Sequence, residues 1–109
     1  MKRQVIIHND IEGFHRYPNA PSFCKYLSYR HRHIFNIRSY FNVSHNEREM
    51  EINIARLDIE ADLKKCFGYP CEFGDMSCES ICEYLLDKYP ALDRVEVTED
   101  GYGGASLTR

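Results

Sequence analysis

The chain lacks any apolar run approaching the roughly 20 residues that would cross a bilayer as a helix. It lacks a basic excess as well. Lys and Arg number 14 against 17 Asp and Glu, the formal net charge is -3, and no basic cluster stands out, which argues against a nucleic-acid-binding module. The first apolar stretch, Val5-Ile6-Ile7, runs straight into His8, Asn9 and Asp10, too short for a secretory signal. There is no regular cysteine framework. Cys24, Cys66, Cys71, Cys78 and Cys82 are an odd number at irregular spacings, so reduced thiols are expected and the chain reads as cytoplasmic. Repeats and low-complexity segments are absent. What remains is a single domain over residues 1–109, large enough for a core and small enough for its sheet edges to need a partner.

Alternation is the strongest pattern present. From Arg30 to Val43 the odd positions are His31, His33, Phe35, Ile37, Ser39, Phe41 and Val43, while the even ones are mostly polar, the period of a half-buried strand. Gln4 to Tyr17 reads as an earlier strand, joined to it by a loop over Pro18 to Tyr29. Met50, Ile52 and Ile54 alternate with Glu51 and Asn53, which predicts a short return strand. Asp58 suits the N-cap of a helix through Phe67, and Gly68 suits the position that ends it. Ser77 is the expected N-cap of a second helix, with a Cys78, Ile81, Cys82 and Leu85 stripe and Pro90 beyond its end. Leu92 to Thr98 and Ala105 to Thr108 complete the strands around the Gly101-Tyr102-Gly103-Gly104 turn. The order strand, strand, helix, helix, strand, strand predicts an α+β domain: an antiparallel sheet with two helices on one face.

Two sets of residues break the local rules. His31 and His33 lie on the apolar face of their strand, and His15 ends the earlier one. Three inward histidines from two paired strands can hold zinc with a fourth position open, the pattern of catalytic rather than structural zinc. The plainer reading is that a histidine on an apolar face is a core residue bonded to backbone, and a His-x-His pair by itself is a weak pattern. Glu99 follows Val95 and Val97 at period two, so an apolar face ends in a carboxylate that needs donors. Either the strand has ended and Glu99 is solvated, or it accepts paired N–H groups from a ligand such as the amino-pyrimidinone edge of a pterin or guanine. A zinc site built from Cys66, Cys71, Cys78 and Cys82 matches no familiar ribbon or finger spacing.

Five segments, in order, resemble the 6-pyruvoyl-tetrahydropterin synthase and 6-carboxytetrahydropterin synthase family of the tunnelling fold. Phe14-His15-Arg16-Tyr17-Pro18 is similar to its first zinc-ligand segment, and His31-Arg32-His33-Ile34-Phe35 to its His-Gly-His segment, with Arg32 in place of Gly. Asp62-Leu63-Lys64-Lys65-Cys66-Phe67 resembles the end of its first helix, and Ser77-Cys78-Glu79-Ser80-Ile81 the start of its second. Val95-Glu96-Val97-Thr98-Glu99 resembles the strand that ends in the pterin-anchoring glutamate. Coverage runs from about Ile11 to Leu107.

The resemblance implies zinc held by His15, His31 and His33, a pterin gripped by Glu99, and a homo-oligomer, a trimer or a hexamer, in which sheets close into a barrel. It implies a lyase acting on 7,8-dihydroneopterin triphosphate or an analogue. For such a substrate Arg30, Arg32 and Arg38 are candidate triphosphate contacts, the plainer reading being that charged residues on a strand's outer face are solvated. The family's catalytic cysteine stands shortly before the paired histidines. Here Leu27 is four residues before His31, and Cys24, seven before it, is the thiol available for that role. The family's Asp-His proton relay has no counterpart, because Gly68 to Met76 holds Glu72 and Asp75 but no histidine, leaving His8 and His45 as replacements. The alternative is a non-catalytic homologue that keeps the zinc and the pterin or purine pocket.

Overall fold

Alternation and turn chemistry build most of the chain directly. In the computed structural model, which describes residues 1–109, β1 spans Arg3–His15 and β2 spans His31–Val43, each 13 residues long. They pair antiparallel along their whole length, from Arg3 against Val43 to His15 against His31. The intervening loop carries a 3₁₀ segment, Ser22–Ser28. Helix α1 covers Ile52–Phe67, β3 Cys71–Gly74, α2 Cys78–Lys88, β4 Leu92–Glu99 and β5 Gly103–Thr108.

The fold is α+β, but its sheet is mixed rather than antiparallel. The strand order is β3-β1-β2-β4-β5, and β3 runs parallel to β1 through Gly13 and Cys71. That four-residue strand lies in a stretch for which the sequence reading predicts no strand. Its alternation is real, with Cys71 and Phe73 buried between exposed neighbours, but four residues are too few to stand out from sequence.

The expected return strand over Met50 to Ile54 is the start of α1 instead. Glu51 is the N-cap, its carboxylate accepting from the Ile54 N–H, and Asp58, the expected cap, lies well inside the helix. Ile52 and Ile54 are exposed, so their alternation marks no buried face. The working stripe is Ala55, Ile59, Leu63 and Phe67, four apart, with Ile59 and Leu63 buried against the sheet. Gly68 ends the helix at φ +86, and its N–H closes on the Lys64 carbonyl. Ser77 caps α2 as expected, accepting from the Ser80 N–H. Both α-helices cover the same sheet face, over Ile7, Ile11, Phe35, Ile37, Val95 and Val97.

No helix is long and apolar enough to cross a membrane. All five cysteines are unpaired.

Candidate metal centre

The β1–β2 register creates the centre. His15 lies directly opposite His31, and Gly13 directly opposite His33, so three imidazoles share the end of one face. Their ring centroids are 4.7, 5.2 and 4.9 Å apart, each pair meeting edge to face. One nitrogen from each lies within 4.8 Å of the others, and together the three can hold a metal ion. Phe35 closes the floor, its ring 5.1 Å from His15 and 5.7 Å from His33.

Each ring is oriented by an acceptor on its far side. His15 Nδ1 donates to the Met76 carbonyl at 2.9 Å, and His31 Nδ1 to the Tyr29 carbonyl at 2.8 Å. His33 Nδ1 donates to the Asp100 carboxylate at 2.7 Å. A carbonyl or carboxylate only accepts, so these partners place a proton on every Nδ1; the Nε2 of a neutral ring then carries a lone pair, while His15 Nε2 faces the Glu99 carboxylate and donates to it when that ring is protonated. That is the arrangement in which outer groups fix metal-ligating histidines. His33 Nε2 is buried and has no hydrogen-bond partner, a costly state for a polar atom in the absence of a ligand. A core role alone accounts for the backbone bonds but not for this atom.

Glu99 ends β4 beside Phe35 of β2, and its side chain reaches the histidine cluster while staying partly exposed at the cavity. Oε2 lies 3.0 Å from His15 Nε2, and Oε1 lies 3.6 Å from His33 Nε2. The bond from His15 holds the Glu99 carboxyl below the usual range despite its burial. For His15, burial opposes the charged ring, but the Glu99 carboxylate and the Met76 carbonyl outweigh it and raise the pKa. Cys78, the first residue of α2, points its thiol at Glu99 Oε2, 3.7 Å away. Burial, with Glu99 next to it, pushes that thiol up to about 12, so it holds its proton at neutral pH.

An open cavity of about 560 Å³ borders the centre. Its walls include His15, His31, Glu99, Cys78 and Leu27, with Gly103 and Gly104 from β5 along one side. Arg16 is its one cation, held by Asp75 at 2.7 Å.

His15, His31, His33 and Glu99 are thus brought together. Cys24 is not among the residues lining the cavity; it sits in the 3₁₀ segment, at φ -133 and ψ 38, and Leu27 occupies the wall in its place. Neither His8 nor His45 borders the cavity, and His45 faces Glu49 instead. Arg30, Arg32 and Arg38 do not border it either. They occupy the even positions of the β2 segment, on the opposite face, and pair with Glu72, Glu12 and Asp10. The four later cysteines do not gather into a metal cluster: Cys71 and Cys82 point at the Leu63 and Val95 carbonyls inside the core, and Cys66 is exposed.

Sequence reasoning missed Asp100, Met76, Arg16 and the cavity thiol of Cys78. Asp100 left a trace, since Asp-Gly after a strand is a turn signal, but its bond to His33 spans 67 residues. No model of a known protein family matches this chain, and no curated protein is significantly similar to it.

Proposed function

We propose that the chain is a zinc-dependent pterin synthase-like lyase of the tunnelling fold, acting on 7,8-dihydroneopterin triphosphate or a close analogue. The observation that carries this reading is the tripod of His15, His31 and His33, each held by its Nδ1, with an unpartnered Nε2 on His33 and a carboxylate alongside. An all-imidazole donor set with room for a further ligand suits zinc. Zinc there supplies Lewis acidity, lowering the pKa of a hydroxyl brought to it.

The chain's own groups divide the remaining work. Glu99, held anionic, accepts from the paired N–H groups of a pterin ring. Arg16 offers the cavity's positive charge to an anionic substituent, and the Cys78 thiol holds a proton beside Glu99. Unpaired thiols fit a reducing, cytoplasmic setting.

A homo-oligomer, trimeric or hexameric, belongs to the same reading. The radius of gyration is 14.9 Å, against about 13 Å for a compact domain of this length. β5 has no outer neighbour, and β3 covers β1 only at Gly13–His15, so two sheet edges are open to a partner.

A second reading, a zinc-containing pterin- or purine-binding homologue without turnover, is favoured by one observation: Leu27 stands in the cavity wall where a catalytic thiol would be needed, and no relay histidine borders the cavity. Incubating the untagged, zinc-loaded protein with 7,8-dihydroneopterin triphosphate separates the two. Zinc-dependent release of triphosphate supports the lyase. Pterin affinity without turnover supports the binding protein, and failure to bind either zinc or pterin overturns both.

A further inference from the structure

We propose that Glu99 is a fourth protein donor to the metal, so that the centre is His15, His31, His33 and Glu99, closed by a carboxylate that an incoming ligand must displace. The inference rests on the metal-centre reading and goes beyond the ring-anchor role.

Three observations carry it. First, each carboxylate oxygen lies close to a nitrogen that a metal would use, Oε2 at 3.0 Å from His15 Nε2 and Oε1 at 3.6 Å from His33 Nε2. With arms of about 2.0–2.1 Å, donors on a tetrahedral zinc lie roughly 3.3 Å apart, and the two separations bracket that spacing. Second, the buried His33 Nε2 finds no hydrogen-bond partner, and Glu99 is the group opposite it. An ion between them satisfies both. Third, Glu99 is held in place from outside the centre. Its backbone is paired in β4 against Phe35, the next residue, Asp100, is pinned to His33 and to the Ile34 N–H, and the Cys78 thiol donates to Oε2.

A carboxylate turned onto the metal cannot at the same time present both oxygens to a ring. A heterocycle with adjacent N–H donors therefore draws Glu99 off the metal, and the vacated position passes to the ligand or to water. Metal closure and ligand entry then compete for one side chain.

Cobalt(II) titration reads this without any activity assay, because its visible absorption reports donor number and type. Wild type, Glu99→Gln, Glu99→Ala and His33→Ala are titrated with Co²⁺, with circular dichroism of the metal-free proteins as the folding control. Glu99→Ala is expected to bind at least tenfold more weakly, with an altered absorption band, and Glu99→Gln to fall between it and wild type. Free pterin added to the cobalt-loaded wild type is expected to move its band towards that of Glu99→Ala. An unchanged affinity and band in folded Glu99→Ala, while His33→Ala loses the metal, overturns the fourth-donor role and leaves the three-histidine site standing. A band that bound pterin leaves unmoved overturns the exchange. No cobalt binding by wild type overturns the metal centre itself, and pterin failing to bind a cobalt-loaded protein counts against the ring-anchor reading alone.

Discussion

Asp100 is the residue on which the orientation of the centre turns. It holds a positive φ of 52, donates its backbone N–H to the Ile34 carbonyl, and accepts with one carboxylate oxygen from the Ile34 N–H and with the other from His33. A non-glycine residue in that region persists only where its surroundings hold it. These bonds, the Ile34 N–H first and His33 second, keep its carboxyl below the usual range. Asparagine tolerates the same backbone, so Asp100→Asn removes charge without reshaping the turn. Zinc affinity in Asp100→Asn is expected to fall about 10–100-fold with little change in the melting of the metal-free protein; isothermal titration checks it. His31→Ala and His33→Ala should lose the ion outright, and full zinc retention by both would contradict the assignment. Because imidazoles must be deprotonated to ligate, zinc should also leave wild type as the pH is lowered through the histidine range, which metal analysis after dialysis at stepped pH would show.

At the scale of elements, the β4–β5 hairpin walls the cavity and depends on one close approach. A Cβ on Gly104 would run into the Val97 carbonyl oxygen and stand 2.6 Å from the Thr98 Cα, both backbone atoms that cannot rotate away. On Gly103 it would meet nothing within 4 Å. Gly104→Ala is therefore expected to push β5 off β4 at a cost of about 3 kcal/mol or more, and Gly103→Ala to be nearly neutral. Urea unfolding of the two variants gives the comparison, and equal midpoints would mean that the strand can shift freely. The same hairpin carries Glu99 and Asp100, so Gly104→Ala should weaken metal binding as well.

For the whole molecule, two quantities matter: how much apolar surface is uncovered and how the buried thiols respond to alkali. Phe23, Tyr26 and Tyr29 around the 3₁₀ segment and Ile54 and Leu57 on α1 are exposed, and two sheet edges are open. A trimer or hexamer is expected by light scattering at micromolar concentration; a clean monomer would refute that assembly. Burial pushes Cys71 and Cys82 up to about 11 and Cys78 to about 12, from an ordinary 9.0. The unfolded chain thus releases these protons first, and stability is present in full below pH 9 and lost as pH rises from there towards 11–12. The melting temperature should drop between pH 8 and pH 10.5, and less steeply in Cys82→Ala than in wild type.

The sequence by itself determined the periods. Alternation placed His31, His33 and Phe35 on one face of a strand, and Val95, Val97 and Glu99 on one face of another, because side-chain direction in a strand follows from position alone. Ser77 and Gly68 marked helix ends for equally local reasons. Where local signals were short or ambiguous they misled or fell silent: Ile52 and Ile54 alternate yet begin a helix, and the four residues of β3 are too few to announce a strand. Only the tertiary structure decided register and direction. Pairing His15 with His31 rather than with a neighbour two residues away, laying β3 parallel beside β1, and turning Glu99 onto the imidazoles are contacts between residues far apart in sequence. Leu27 lines the cavity and Cys24 does not for the same reason: the 3₁₀ segment's path is set by what it packs against, which no local spacing encodes.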